Sequence, residues 1–513
     1  MAGEILTVAD LTADVDVKCD VCIVGSGAGG AVLAAGLVER GLSVIMLEEG
    51  GHKTNKDFDL QESTAFPMLY QDRGTRGTAD LAITILQGRS VGGSTTVNWT
   101  TCYRTPERIL ENWRTVHGIE GLGPEDLRPH FEAVEKRLNI HEWAEVLINN
   151  NNGALKKACE ALDYDYGVIR RNTKGCANSG YCGMGCPVNG KQAMHVTYIP
   201  DAVAGGMRVF ANCRAQRFET EGNKVTAIHA VVMEDERNRE TGVKVTIRPK
   251  LAVCSAGAIN GPALLLRSGL DDNGRVGRRT FLHPVVVVVG QYPEPINAFY
   301  GAPQSVASHQ FIDRGPDKLG YFIEAAPLHP MMAATAYPGL GADMAQYMAR
   351  LKFFAPFIAL SVDGLHPDDD GGTVSLRSDG RIQVDYPVRP FLVESMRNAH
   401  SELTKLQFAG GASVASTVHR APIVMGDVSE IGKLDGGKYG ALEHTIFSAH
   451  QMGGCSMGVD PTTSVVNNQL RHHRVENLYV VDGSVFPSAL GVNPSESIYG
   501  LAHWATDNVA SAV

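Results

Sequence analysis

Two residues near the carboxyl terminus, His450 and Asn493, are of the types needed to oxidise an alcohol. That reaction moves a hydride from carbon to an acceptor and a proton from oxygen to a base. The base should titrate near neutrality and sit within reach of the hydroxyl, which favours an imidazole. A second polar group must fix the hydroxyl so that its carbon faces the acceptor. His450 stands in a turn with Gly453 and Gly454 close behind it, and Asn493 lies in Gly491-Val-Asn493-Pro494. The structural alternative is a buried histidine and a turn asparagine.

A hydride acceptor has to be held beside that pair, and the amino terminus supplies the holder. Asp20-Val-Cys-Ile-Val-Gly25 is a short apolar run, followed at once by Gly25-Ser-Gly27-Ala-Gly-Gly30. An Ala-rich helix is expected up to Gly41, and Ser43-Val-Ile-Met-Leu-Glu48 reads as a second strand. In such a βαβ unit Gly25 allows the tight turn, Gly27 lets the backbone approach a pyrophosphate, and Gly30 lets helix and strand pack closely. The helix amino end offers free N–H groups to phosphates. Glu48, 18 residues past Gly30, is placed to accept hydrogen bonds from a ribose. The unit implies a bound dinucleotide.

With 513 residues the chain is long enough for two or more domains. A formal charge of −10 argues against nucleic-acid or anionic-membrane binding. No apolar run reaches transmembrane length. No basic region followed by an apolar core stands at the N-terminus, so a cytoplasmic location is the default, with export alongside a signal-bearing partner as the alternative. Ten cysteines in so long a chain do not suggest a disulfide scaffold.

Helical spacing of Leu127, Phe131, Val134 and Leu138 predicts a helix over 124–140, opened by Pro124. Val225 to Met233 and Val243 to Arg248 read as a hairpin, and Leu251 to Cys254 as a separate buried strand before a Leu-rich helix at 262–267. The middle third offers strands at Val285–Val289, Thr373–Leu376 and Ile382–Tyr386, and a Met-rich helix from Met344 to Phe357. Leu478 to Val481 is a further buried strand, ending at Asp482-Gly483. The expected class is therefore α/β: a discontinuous Rossmann-like domain (1–105, 195–277 and 440–513) with an inserted substrate domain (106–194 and 278–439) built on an antiparallel sheet with covering helices. His472-His473 reads as solvated surface, His283 as structural, and His400, His419, His444 and His503 show no partner pattern.

Cys176-Ala-Asn-Ser-Gly-Tyr-Cys182-Gly-Met-Gly-Cys186 spaces three thiols by five and three residues in a Gly-rich loop. Such thiolates can converge on an Fe–S cluster. Plain structural cysteines, a zinc site completed by His195, and a disulfide are the other readings.

Four ordered blocks together resemble the glucose-methanol-choline (GMC) family of FAD-dependent alcohol oxidases and dehydrogenases. They are the βαβ fingerprint with Glu48; Gly88-Arg-Ser-Val-Gly-Gly-Ser-Thr-Thr-Val-Asn98; Gly257-Ala-Ile-Asn-Gly-Pro262 through Gly269; and His450 through Gly458 with Asp482-Gly483 and Asn493-Pro494. The third block departs from the family pattern at Gly261 and Asp271. The resemblance implies a Rossmann-like FAD domain and hydride transfer to flavin N5, with His450 as general base and Asn493 as orienter. It adds Arg89, Gly92, Gly93, Ser94, Asn98, Ala215, Gly483 and Pro494 to the flavin-contacting set, and gives Asp482 the ribityl or pyrophosphate oxygens. The His–Asn pair is similar to that of cholesterol oxidases and long-chain alcohol oxidases. The cysteine spacing is similar to that of the catalytic subunits of glucose and fructose dehydrogenases, where a [3Fe-4S] cluster passes electrons to a partner.

An NAD fold has no role for the second glycine loop or the C-terminal block, so FAD is the expected cofactor. Met331-Met332 and the stretch from Met344 suit either an apolar channel or ordinary core. The expected substrate is an alcohol on an apolar body (long-chain, terpenoid, steroid or aromatic), with O2, a quinone or a redox protein as the electron acceptor. A sugar or polyol dehydrogenase subunit and a flavin lyase or photodecarboxylase are the competing functions.

Overall fold

A computed structural model describes residues 3–235 and 238–513. Its eight-stranded sheet has the spatial order Glu4–Leu6, Arg208–Phe210, Val44–Leu47, Val15–Val24, Glu240–Cys254, Lys224–Met233, Cys213–Glu221, with Leu478–Val480 added beside Cys254. Pairing is parallel from Glu4–Leu6 through Glu240–Cys254 and onto Leu478–Val480, whereas the last two strands in that order form an antiparallel ribbon. Parallel strands are buried on both faces, which explains the unbroken apolar runs at Val21–Val24 and Val44–Leu47. The helix Ala28–Glu39 returns the chain from the first of these strands to the second and packs against the C-terminal helix Ser495–Ser511.

The expected hairpin is present, but its second strand and the separate strand at 251–254 are one element, Glu240–Cys254. Pro249, inside this element, falls in a gap: pairing with Lys224–Met233 stops at Ile247, and pairing with Leu478–Val480 starts at Ala252. A proline is tolerated where one neighbouring strand is missing.

The second sheet has nine strands and is largely antiparallel. Its order is Val424–Met425, Val414–Thr417, Val285–Gln291, Phe354–Ser361, Tyr321–Ala325, Val306–Ser308, Gly167–Val168; Ile446–Ser448 and Ile83–Ile85 join beside Val285. The helix Pro390–Gly410 covers it, with Asn150–Leu162 packed alongside. The helix predicted at 124–140 is Pro124–Leu138, and its four apolar positions are the buried ones. The Met-rich helix is a correction. Ala342–Ala349 is helical, but Phe354–Ser361 is a strand buried along its whole length. Pro356 disfavours a helix interior, and an eight-residue run buried on both faces suits a central strand.

Among the described residues, no helix is long and apolar enough to cross a membrane. His472 also differs from expectation: it is buried, and its Nδ1 accepts the N–H groups of Arg474 and Val475 at 3.2 and 3.1 Å.

Candidate active site

The parallel strands Val15–Val24, Val44–Leu47, Glu240–Cys254 and Leu478–Val480 all end at one cavity of about 940 Å³. This is where an open parallel sheet binds ligands. Of the residues singled out in the sequence, Gly25, Gly27, Glu48, Arg89, Gly93, Ser94, Asn98, Ala215, His450, Asp482, Gly483, Asn493 and Pro494 line it. Gly30 and Gly92 do not. Gly30 is buried where helix and strand cross, and a Cβ there would sit 2.1 Å from the Gly25 carbonyl oxygen. Gly92 lies further back, donating its N–H to Ser26 Oγ at 2.9 Å.

Two glycine loops meet at the cavity floor. Gly25 has φ +106°, and a side chain there would run into the Ser255 carbonyl oxygen. Gly93, with φ +55°, presses on the fingerprint loop so closely that a Cβ would stand 2.7 Å from Gly27 Cα. Gly27 itself is open: a Cβ there meets nothing nearer than 3.9 Å.

Carboxylates flank this floor. Ser26 donates to Glu48 Oε2 from its N–H at 3.1 Å and its hydroxyl at 2.6 Å, while the Gly50 N–H donates to Oε1 at 2.8 Å. A carboxylate accepts about four hydrogen bonds, so one site is left for a ligand hydroxyl. Burial pushes the Glu48 pKa up, and these donors oppose the shift. Asp482 follows the short strand Leu478–Val480 and accepts from the N–H groups of Gly257 (2.7 Å) and Ser484 (2.8 Å). Burial raises its pKa too, against the same kind of donors. On the second loop, Arg89 is paired with Glu49 at 3.0 Å, Ser94 Oγ accepts the Gly88 N–H at 2.9 Å, and the buried Asn98 Oδ1 has no partner among the described residues.

His450 and Asn493 lie together at the other end, with Nε2 and Nδ2 3.3 Å apart. Burial brings the His450 pKa down to about 4, so its imidazole is neutral at pH 7. Its other nitrogen, Nδ1, faces His283 Nδ1 at 3.2 Å. His283 is fully buried and holds a left-handed backbone, φ +44°, rare for a residue with a side chain. Asp363 pins that backbone, accepting the N–H groups of Leu282 and His283 at 2.8 and 3.1 Å. The Gly491 N–H donates to His283 Nε2 at 3.2 Å. That bond favours a proton on His283 Nδ1, donated to His450 Nδ1, and hence an N–H at His450 Nε2 facing the cavity.

Behind Asn493 lies Glu324, on the strand Tyr321–Ala325. It is fully buried, accepts from Gln304 Nε2 and has a second oxygen with no partner among the described residues. Burial pushes its pKa up to about 8, opposed by the Asn493 amide and the charge of Arg171.

Sequence reasoning missed both His283 and Glu324. One carboxylate inside Tyr321-Phe-Ile-Glu-Ala325 was a usable signal, because an acid in an otherwise apolar buried strand needs a reason to be there. Met331-Met332 does not line the cavity, Met331 being 37% exposed, and neither does the helix Ala342–Ala349, which has no buried residue. The far end of the stretch from Met344 does: Ile358 and Leu360 line the cavity's apolar wall with Val285 and Phe447.

The cysteine loop stands apart. Cys176, Cys182 and Cys186 carry free thiols around a separate pocket of about 20 Å³. Lys191 lines the same pocket, its Nζ donating to the Cys182 carbonyl oxygen at 2.8 Å. Arg171 Nη2 is 3.9 Å from Cys182 Sγ.

The family profile described as GMC oxidoreductase matches residues 66–285 and 367–502. A GMC-type oxidoreductase of Mycobacterium tuberculosis, of uncharacterised activity, is 30% identical over 97% of this chain and 76% of its own length. A long-chain-alcohol oxidase of Arabidopsis thaliana is 28% identical over 97% of this chain and 68% of its own length. Among solved structures, a variant of Aspergillus oryzae formate oxidase made to follow FAD modification superposes with a TM-score of 0.70 at 15% identity, covering 97% of this chain and 99% of that one. At that identity the likeness is one of fold.

Proposed function

This chain belongs to the GMC oxidoreductase family, and we propose that it oxidises an apolar alcohol to an aldehyde or ketone, with FAD held in the large cavity. The observation that carries this reading is the His450–Asn493 pair, which lines the same cavity as the two glycine loops and the carboxylates Glu48 and Asp482. The cradle suits FAD: Gly27 leaves room where a pyrophosphate must approach, and Glu48 keeps a free acceptor site for a ribose hydroxyl. Asp482 and Asn98 add further polar side chains to the lining. Bound there, FAD supplies the hydride acceptor.

This chain's own residues do the rest. Asn493 holds the alcohol oxygen, and His450 Nε2 takes the hydroxyl proton in the tautomer whose ring, kept uncharged by burial, carries its own proton on Nδ1 and donates it to His283 Nδ1. Val285, Ile358, Leu360 and Phe447 exclude water and suit a hydrocarbon substrate, as the long-chain-alcohol oxidase relative would lead one to expect.

A second assignment of the proton rests on one observation. The Gly491 N–H on His283 Nε2 favours the tautomer in which His450 Nε2 already bears hydrogen and donates to the alcohol oxygen. Glu324, next to Asn493 but not lining the cavity, then takes the proton only by relay past Asn493, and only when ionised, as pH rises through its pKa of about 8. Anaerobic reduction of the purified flavoprotein by a series of alcohols tests the function. Failure of every aliphatic, terpenoid, steroid and aromatic alcohol to reduce it contradicts the proposal.

A further inference from the structure

Three histidines that show no pattern in the sequence converge in the second sheet's covering layer. His400 comes from the helix Pro390–Gly410, His419 from just beyond the strand Val414–Thr417, and His444 from just before Ile446–Ser448. They are 0%, 3% and 4% exposed. One nitrogen from each lies within 4.8 Å of the other two.

The hydrogen bonds sort inner from outer nitrogens. His400 Nδ1 meets the Tyr439 hydroxyl at 2.8 Å, and His419 Nδ1 meets Thr417 Oγ1 at 2.8 Å. With protons on those outer nitrogens, the Nε2 atoms of both rings are bare. His400 Nε2 lies 3.2 Å from His444 Nε2, while His419 Nε2 and His444 Nδ1 have no partner among the described residues. Even with a hydrogen bond between His444 Nε2 and His400 Nε2, two nitrogens of the trio are left without a partner in a dry core, which is costly unless something shares them.

A metal ion resolves that deficit. Ligating histidines characteristically give their second N–H to an oxygen that fixes the ring, as Tyr439 and Thr417 are placed to do here. Metal–nitrogen bonds of about 2.0–2.1 Å in a tetrahedron put neighbouring ligand atoms about 3.3 Å apart, close to the observed His400–His444 separation. Three imidazoles select a borderline transition ion rather than calcium or magnesium, which prefer oxygen. We propose that His400, His419 and His444 form a site for one divalent ion of the zinc class, with a fourth position left for water. The ion ties the covering helix to the segment that runs from His444 through Ile446–Ser448 to His450. This site is separate from the flavin cavity, and the inference does not depend on the redox reading.

The test uses the full chain, purified without a histidine tag. After dialysis, elemental analysis should find about one equivalent of zinc per chain. Stripping with dipicolinate should lower Tm, and adding zinc sulfate should restore it. His419→Ala and His444→Ala should lose the metal, while His473→Ala, outside the cluster, should keep it. Thr417→Val spares all three ligands and should weaken zinc binding by about 10–100-fold, which keeps the test sharp if the histidine variants misfold. Cobalt added to stripped protein should give visible bands of a tetrahedral nitrogen site. Protein that is metal-free as isolated, and binds neither zinc nor cobalt at micromolar excess, overturns the proposal and leaves a hydrogen-bonded histidine trio.

Discussion

His283 and His450 meet with their Nδ1 atoms 3.2 Å apart, and a hydrogen bond between them leaves only one of those nitrogens protonated. Which one it is sets whether His450 offers the cavity a lone pair or an N–H. Through its bond to His283, the Gly491 amide therefore bears on the proton state of His450 without itself lining the cavity.

Replacing His283 with leucine removes this control and one support of the His450 ring. Steady-state kinetics on His283→Leu should show kcat reduced by about 10–100-fold with KM little changed, since a small misplacement of a reacting group costs that much. Flavin content should stay at the native level. Parallel loss of flavin would make His283 merely structural.

The pH profile separates the two proton acceptors. A base works only when deprotonated, so activity falls as pH drops through its pKa. With His450 at about 4, kcat/KM should be flat from pH 6 to 8. With Glu324 at about 8, it should climb about tenfold per pH unit up to a plateau near that value, and Glu324→Gln should abolish the climb.

Glu324 also carries a stability signature. Its folded pKa lies above that of an unfolded carboxyl, so the native state holds the extra proton. Its contribution is complete below about pH 4.3 and is lost as pH rises through about 8. Thermal melts should show Tm falling across that window, and Glu324→Gln should flatten the fall. An unchanged slope would place the Glu324 pKa elsewhere.

Gly27→Val probes the cradle. A Cβ at Gly27 meets no protein atom closer than 3.9 Å, and the backbone there, at φ −72°, accepts a side chain. The variant should fold with near-native circular dichroism and be purified without flavin. Full flavin occupancy would mean that the pyrophosphate lies elsewhere.

What the sequence disclosed follows from how local each signal is. The opening βαβ unit was legible because its turn, helix and strand are contiguous and each glycine has a separate steric job, as Gly25 and Gly30 show. The helix Pro124–Leu138 was legible from periodicity. Glu240–Cys254 reads as two strands in the sequence, and only its neighbours' endpoints show that Pro249 sits where one partner strand is missing and the element runs on. Phe354–Ser361 was misread because an apolar run lacks periodicity when it is buried on both faces. His283 and His450 are 167 residues apart, and His400 and His444 are 44 apart. Such pairs exist only after the second sheet has assembled, and nothing in their local sequence announces them.

The central claim is that an alcohol gives up hydrogen at the His450–Asn493 pair. The direct measurement is stopped-flow mixing of the flavoprotein with an aliphatic alcohol series under anaerobic conditions, following flavin absorbance in the native protein and in His450→Ala. Bleaching by at least one alcohol, slowed by about 10²–10⁴-fold in His450→Ala with flavin still bound, is the predicted result. Equal bleaching rates in the two proteins, or none in the native one, would contradict the account.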